Sequence, residues 1–169
     1  MKFITNSQLY EQVILPIATA KKFVWIGTAD IKDMHVRHNG TVQPLLSVFS
    51  SLIERGVNVR LLYAKSPGLN FRQSFKRYPN LSDYLEQQVC PRVHFKHVII
   101  DGTMAYTGSA NLTGAGLGMK SKDRRNFEMG LLTTNPQIVQ IIMKQFNDVW
   151  SGTFCQTCGR REFCSNPII

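Results

Sequence analysis

The sequence predicts an α/β layered domain followed by a short cysteine-rich tail, and three observations make that prediction. The 169 residues, 43% apolar and 18% charged, suffice to bury one ordinary core without disulfide support. Apolar runs of strand length alternate with stretches of helical periodicity. Around Gly56 a helix, a glycine and a strand follow one another in that order.

Residues 7–21 carry Leu9, Val13, Ile14 and Ile17 at helical spacing, with Ser7 as cap and Pro16 predicting a kink or break. Phe23-Val24-Trp25-Ile26-Gly27 is a short apolar run after Lys21-Lys22, hence a buried strand. Residues 44–55 suit an amphipathic helix ended by Gly56 at C′, and 57–63 a second strand. Residues 64–80 interleave Phe71, Phe75 and Tyr78 with Arg72, Lys76 and Arg77. That stretch reads either as an amphipathic connection whose aromatics reach the core or as a surface that stacks on nucleic acid. A short helix is predicted over 81–88 and a strand over 92–100. The tight turn Asp101-Gly102 leads to another strand over 104–107. Residues 127–133 form a further strand. The last helix spans 135–150, with Asn135-Pro136 as cap and N1 and Ile138, Ile141, Ile142 and Phe146 on one face. There is no internal repeat.

Lys and Arg number 20 against 11 Asp and Glu, a formal charge of +9, which favours a polyanionic partner. No run approaches the ~20 apolar residues that cross a bilayer. Residues 13–20 are too short, and Glu11-Gln12 wrongly placed, for a secretory leader, so cytoplasmic residence is expected.

On a strand, His94 and Lys96 project together, about 6–7 Å apart along the chain, while Phe95 and His97 take the other face. Beyond the turn comes Gly108-Ser109-Ala110-Asn111-Leu112-Thr113-Gly114, whose small residues let backbone N–H groups approach an anion. An imidazole, an ammonium, an amide and N–H donors around one phosphoryl group are what metal-free phosphoryl transfer requires.

The pattern His94-x-Lys96-x4-Asp101-x6-Gly108-Ser109-x-Asn111 resembles the HKD motif of the phospholipase D superfamily, with every fixed spacing kept. Asn126-Phe127-Glu128 is similar to the family's acidic site that hydrogen-bonds the far nitrogen of the histidine. The resemblance runs in element order from about 23 to 150. It implies a mixed central β-sheet flanked by helices on both faces. It also implies a catalytic domain over 1–150, with the tail of 151–169 outside it. Asp101 is implied to brace its loop by hydrogen bonds. The implied activity is a phosphodiesterase that forms a phosphohistidine, using a second histidine as acid and base and no catalytic metal. One copy of the motif resembles the single-motif bacterial endonucleases, and so implies a homodimer with two His94 rings facing across its axis. Lys96, Asn111 and Ser109 would then hold phosphate oxygens, and Glu128 would orient His94.

Nucleic acid is the expected substrate, single-stranded rather than duplex, with phospholipid second and a non-catalytic nucleic-acid-binding module third. Lys120, Lys122, Arg124 and Arg125 precede Glu128, either as a solvated loop or as the mouth of the site. Lys32, His35, Arg37 and His38 follow the first strand and have the same two readings. Cys155-x2-Cys158-x5-Cys164, with Cys90 upstream, has the density of a metal site. The spacing is similar to the iron–sulfur staple of certain exonucleases of another fold. A structural [4Fe–4S] cluster, zinc, and free or disulfide thiols are all open, with Cys90, His97 or an outside group as fourth ligand.

Overall fold

The computed structural model describes residues 1–38, 40–117 and 119–168, apart from the His38 side chain. Chain order begins with β1 (Lys2–Thr5), a π-helical turn (Tyr10–Ile14) continued by α1 (Leu15–Ile17), and β2 (Phe23–Thr28). A hairpin of β3 (His35–His38) and β4 (Thr41–Pro44) precedes α2 (Leu45–Glu54) and β5 (Asn58–Tyr63). Then come α3 (Leu69–Phe75), α4 (Pro79–Tyr84), β6 (Leu85–Val89), β7 (His97–Ile100), β8 (Met104–Gly108), β9 (Met129–Thr133) and α5 (Pro136–Trp150).

Seven strands make one mixed sheet in the order β1-β9-β8-β7-β2-β5-β6, parallel at β2/β5 and β5/β6 and antiparallel elsewhere. Helices cover both faces. On one, Leu9, Val13, Ile17, Phe49, Leu52 and Leu81 pack with Val24, Ile26, Val59, Leu61 and Val98. On the other, Val139, Ile142 and Phe146 of α5 lie with Leu62, Ile99 and Ala105. Trp25, Phe146 and Trp150 stack in a column, and Arg60 lies 5.2 Å from Trp25 and 5.1 Å from Trp150.

Local chemistry explains the ends of these elements. The kink expected at Pro16 appears as a widened turn, the Leu15 N–H reaching Tyr10 O just before the proline that has no N–H to give. Gly56, at φ +78°, closes α2: its N–H goes to Ile53 O at 2.9 Å and that of Val57 to Leu52 O at 3.0 Å. The Asn135 side chain accepts from the N–H groups of Gln137 and Ile138 at 3.0 and 3.2 Å, with Pro136 next.

Four expectations need correction. The helix near 81–88 is displaced: α4 starts at Pro79 and Leu85–Val89 is the edge strand β6. Regular pairing in the 92–100 stretch begins only at His97, opposite Gly27. A Cβ on Gly27 would come within 2.2 Å of the Phe95 ring, so that aromatic fills the place where a longer ladder would carry a side chain. The strand expected from Phe127 starts at Met129, because Phe127 is 97% exposed. Ile141 points to solvent, the buried stripe of α5 being Val139, Ile142 and Phe146. Neither β1, with Ile4 as its only buried side chain, nor the β3–β4 hairpin has a sequence pattern long enough to announce it.

Candidate active site

The site forms beyond the carboxyl ends of β2, β5 and β8, where the extended segment before β7 and the loop after β8 meet. Side-chain alternation survives outside the regular strand. Phe95 stacks on His97 at 4.4 Å on the α5 face, while Lys96 is buried on the opposite one. Lys96 Nζ donates to the His94 carbonyl oxygen at 2.7 Å and lies 3.5 Å from His94 Nδ1. His94 itself is exposed. Lys96 O accepts the Gly108 N–H at 3.2 Å, tying this segment to the glycine that opens the next loop.

Asn111 is oriented by residues with no place in the motif. Its Oδ1 accepts from the Asp30 N–H at 3.2 Å and lies 3.3 Å from Thr28 Oγ1. The Thr28 hydroxyl donates to Asp30 O at 2.7 Å and accepts the Leu112 N–H at 3.0 Å. With Oδ1 so engaged, the Asn111 amide presents its N–H2 to a ligand; among the described residues that group has no partner. Thr28 and Asp30 are the residues that sequence reading missed, and a hydroxyl closing an apolar strand was their one signal.

Ser109 donates to Glu128 Oε2, and its oxygen accepts the Met129 N–H at 3.1 Å. Asn126 Nδ2 holds the other Glu128 oxygen at 3.0 Å, and Asn6 Oδ1 receives the Glu128 N–H at 3.1 Å. The Glu128 carboxylate is thus joined to Ser109 and Asn126 rather than to His94. Asp101 stands at the far end of β7 and caps Lys21, Lys22 and Phe23 through their N–H groups at 2.9, 2.7 and 3.0 Å. Burial pushes its pKa up, but those three N–H groups and the Lys22 charge outweigh it and hold the carboxyl below its usual value. Tyr106, buried beside Val98, is pushed up to about 12, chiefly by burial.

Two recesses flank the site. A cleft of about 550 Å3 is lined by Asp30, Lys32, Lys65, Asn70 and Phe71, with Asp30 3.3 Å from Lys65 and 3.7 Å from Lys32. Phe71 is buried there, so this aromatic belongs to the core. The second recess, about 360 Å3, lies among Asn6, Ser7, Lys122, Arg125, Asn126 and exposed Phe127. Lys120 and Arg124 are exposed on the same loop, which Arg125 Nε steadies through Lys120 O at 3.0 Å. His35 and Arg37 are exposed on the β3–β4 hairpin.

Away from the site, the tail runs as turns and one short 3-10 helix (Arg161–Phe163) against residues 89–92. Cys90, Cys155, Cys158 and Cys164 are all half-buried free thiols. Burial raises the Cys90 pKa, an Arg92 N–H lowers it, and repulsion from the other three thiols raises it further. His97 is not with them: it is buried under α5, Nε2 3.2 Å from Gln145 Oε1, and burial lowers its pKa against the effect of that bond.

Fold and motif define a phospholipase D-type phosphodiesterase scaffold. Residues 13–150 match the family described as cardiolipin synthase, PLD-like domain, and the chain belongs to that family. Nuc, a phospholipase D family member from Salmonella typhimurium, is similar in structure at a TM-score of 0.62 and 17% identity, over 88% of this chain and 93% of that one. NucT from Helicobacter pylori has a TM-score of 0.60 at 18% identity, over 87% and 95%. The archaeal chromatin protein TrmBL2, whose structure shows a novel mode of DNA binding, has 0.56 at 15%, over 89% and 52%. At these identities the likeness is one of fold. No curated protein sequence matches the chain. Among the described residues no helix is long and apolar enough to cross a membrane.

Proposed function

We propose that the protein is a nuclease that hydrolyses phosphodiesters through a phosphohistidine on His94, in a site completed by a second copy of the chain. The observation that carries this reading is the Lys96 ammonium 3.5 Å from His94 Nδ1 on one motif, with the Asn111 amide turned outward nearby. A ring nitrogen of one His94 attacks phosphorus while the bond to the leaving oxygen breaks, and the partner copy's imidazole gives that oxygen its proton. Water then attacks the phosphohistidine, its proton passes to the partner imidazole, and the P–N bond breaks. Lys96 and Asn111 stabilise the oxygens whose charge grows. Ser109, fixed by Glu128, adds a further polar contact. No step uses a metal ion.

Two imidazoles are needed and these 169 residues carry the motif once, which supports a second copy of the chain as the source of the other. The surface agrees. On the α5 side of the sheet, Phe3 and Met129 remain 73% and 58% exposed near Ser109 and Glu128, a patch suited to burial against a like chain. For the substrate, the +9 charge and the recess that joins Lys122 and Arg125 to a bare Phe127 suit a single strand whose bases stack on an aromatic.

A second reading follows from the family description, which names a lipid enzyme: the same chemistry would act on an anionic phospholipid. The deciding experiment offers labelled single- and double-stranded DNA, RNA and cardiolipin vesicles to the intact protein in EDTA. Single strands should be cut fastest, and His94→Ala should cut nothing. Lipid turnover without nucleic acid cleavage would move the assignment to the second reading. Activity that vanishes in EDTA and returns on addition of free magnesium alone would refute the metal-free scheme.

A further inference from the structure

The chain has 4 cysteines, and the tail that carries three of them runs against residues 89–92, beside the fourth, although more than sixty residues separate them in sequence. Cys164 Sγ lies 3.9 Å from the Val89 carbonyl oxygen and Cys158 Sγ 3.6 Å from Arg92 Nη1, so two tail thiols meet the residues that neighbour Cys90 in sequence. Cys90 is held firmly, its N–H bonded to Tyr63 O and its carbonyl to the Val93 N–H, both at 2.9 Å. The tail approaches through tight turns, with the Cys155 N–H on Gly152 O, the Cys158 N–H on Cys155 O and the Cys164 N–H on Arg161 O. It has no core of its own: Phe154 is 50% and Phe163 63% exposed. A segment of turns that leaves its aromatics in water gains little from burial, so hydrophobic packing does not explain why it stays against residues 89–92.

We propose that Cys90, Cys155, Cys158 and Cys164 form a four-thiolate metal centre, for a zinc ion or an iron–sulfur cluster, that fastens the tail to the segment leading into His94. Four thiolates in half-buried surroundings suit a soft cation, and the Arg92 guanidinium beside Cys158 offsets the net negative charge that such a centre keeps. His97 is not the fourth ligand, because its Nε2 faces Gln145 beneath α5. Among the described residues no three metal-binding side chains already stand at ligating distance, so the thiols close on the metal as it binds. Cys90 lies four residues before His94, so the centre stiffens the chain on the approach to the site.

The test is metal analysis of full-length protein purified with and without air, paired with thiol titration. About one zinc per chain, or iron and labile sulfide with absorbance near ~400 nm, supports the centre, and the two arms tell its occupants apart. In either case the thiols should react with a disulfide reagent only after a chelator has stripped the metal under reducing conditions. Cys155→Ser and Cys90→Ser should each lower the metal content at least about tenfold, given how strongly such sites depend on every ligand. If a serine variant fails to fold, protease sensitivity of the tail in native protein before and after the chelator gives the same answer, with cleavage near residues 153–160 appearing only after release. Four freely reactive thiols with no stoichiometric metal in either preparation would overturn the proposal. So would a disulfide among them, or full metal retention in Cys90→Ser.

Discussion

The ammonium of Lys96 rests 2.7 Å from the carbonyl oxygen of His94 and 3.5 Å from a nitrogen of its ring. One side chain therefore fixes the backbone at the proposed nucleophile and faces its imidazole. His94→Ala should reduce turnover to background in a labelled-oligonucleotide assay. Lys96→Ala should lower kcat about 10²–10³-fold, the cost of losing one preorganised charge stabiliser. Lys96→Met keeps the buried stem and should be folded yet equally slow, which circular dichroism and kinetics would separate.

Asn111 depends on the end of β2 for its orientation. Asn111→Asp replaces the outward N–H2 with an oxygen and should cost about 2–4 kcal/mol of transition-state stabilisation. Thr28→Val removes the hydroxyl that accepts the Leu112 N–H at 3.0 Å, and should lower both kcat and Tm. Thr28→Ser should recover most of both. A Thr28→Val enzyme with wild-type kcat would detach this strand from catalysis.

Gly27 and Phe95 are a matched pair. Gly27→Ala forces the aromatic off β2, where the added carbon would meet it at 2.2 Å, and should destabilise by about 1–3 kcal/mol while slowing turnover. Phe95→Leu alone should be destabilising, but the double variant should be better than the sum of the singles. A denaturant-melt cycle that came out additive would show that the two do not compete for one space.

Asp101 braces the far end of β7. Its carboxyl is held below its ordinary value, so its stabilisation is complete above that value and is lost as pH falls through the folded one. Asp101→Ala should cost about 1–3 kcal/mol, leaving the N–H groups of Lys21, Lys22 and Phe23 without their acceptor and placing alanine at φ +55°. Asp101→Asn should retain much of that stability and lose its dependence on acid, with kcat near wild type at neutral pH.

His97 titrates in the opposite sense to a salt-bridged histidine. Burial lowers its folded pKa, so the unfolded chain takes up a proton first as pH drops below about 6.5, and stability falls from there down to the folded value. His97→Gln should flatten that part of the Tm profile without changing the effect of acid near the carboxylate range.

The sequence made the sheet's centre readable and left its margins dark. The apolar run at Phe23 and the cap at Asn135 needed only local chemistry, and both appear in the fold. His94, Lys96 and Asn111 were visible because their spacing is fixed by one strand, one turn and one loop. Thr28 and Asp30 were not, because their link to Asn111 spans more than eighty residues and leaves no periodic trace. Strand β6 escaped notice because Glu86, Gln87 and Gln88 give an edge strand no apolar alternation. Phe127 read as part of a strand, since its hydrophobicity gives no sign that it stands alone in solvent.

Phe95 and His97 lie under α5 while Lys96 lies on the opposite side. Inserting or deleting a single residue between positions 94 and 100 would therefore put the ammonium beneath that helix and an aromatic ring into the chemistry. Length, more than composition, is what this segment cannot change. The loop that carries Lys120 to Arg125 has no such parity to protect, so a residue added or removed there leaves Lys96 facing the same way.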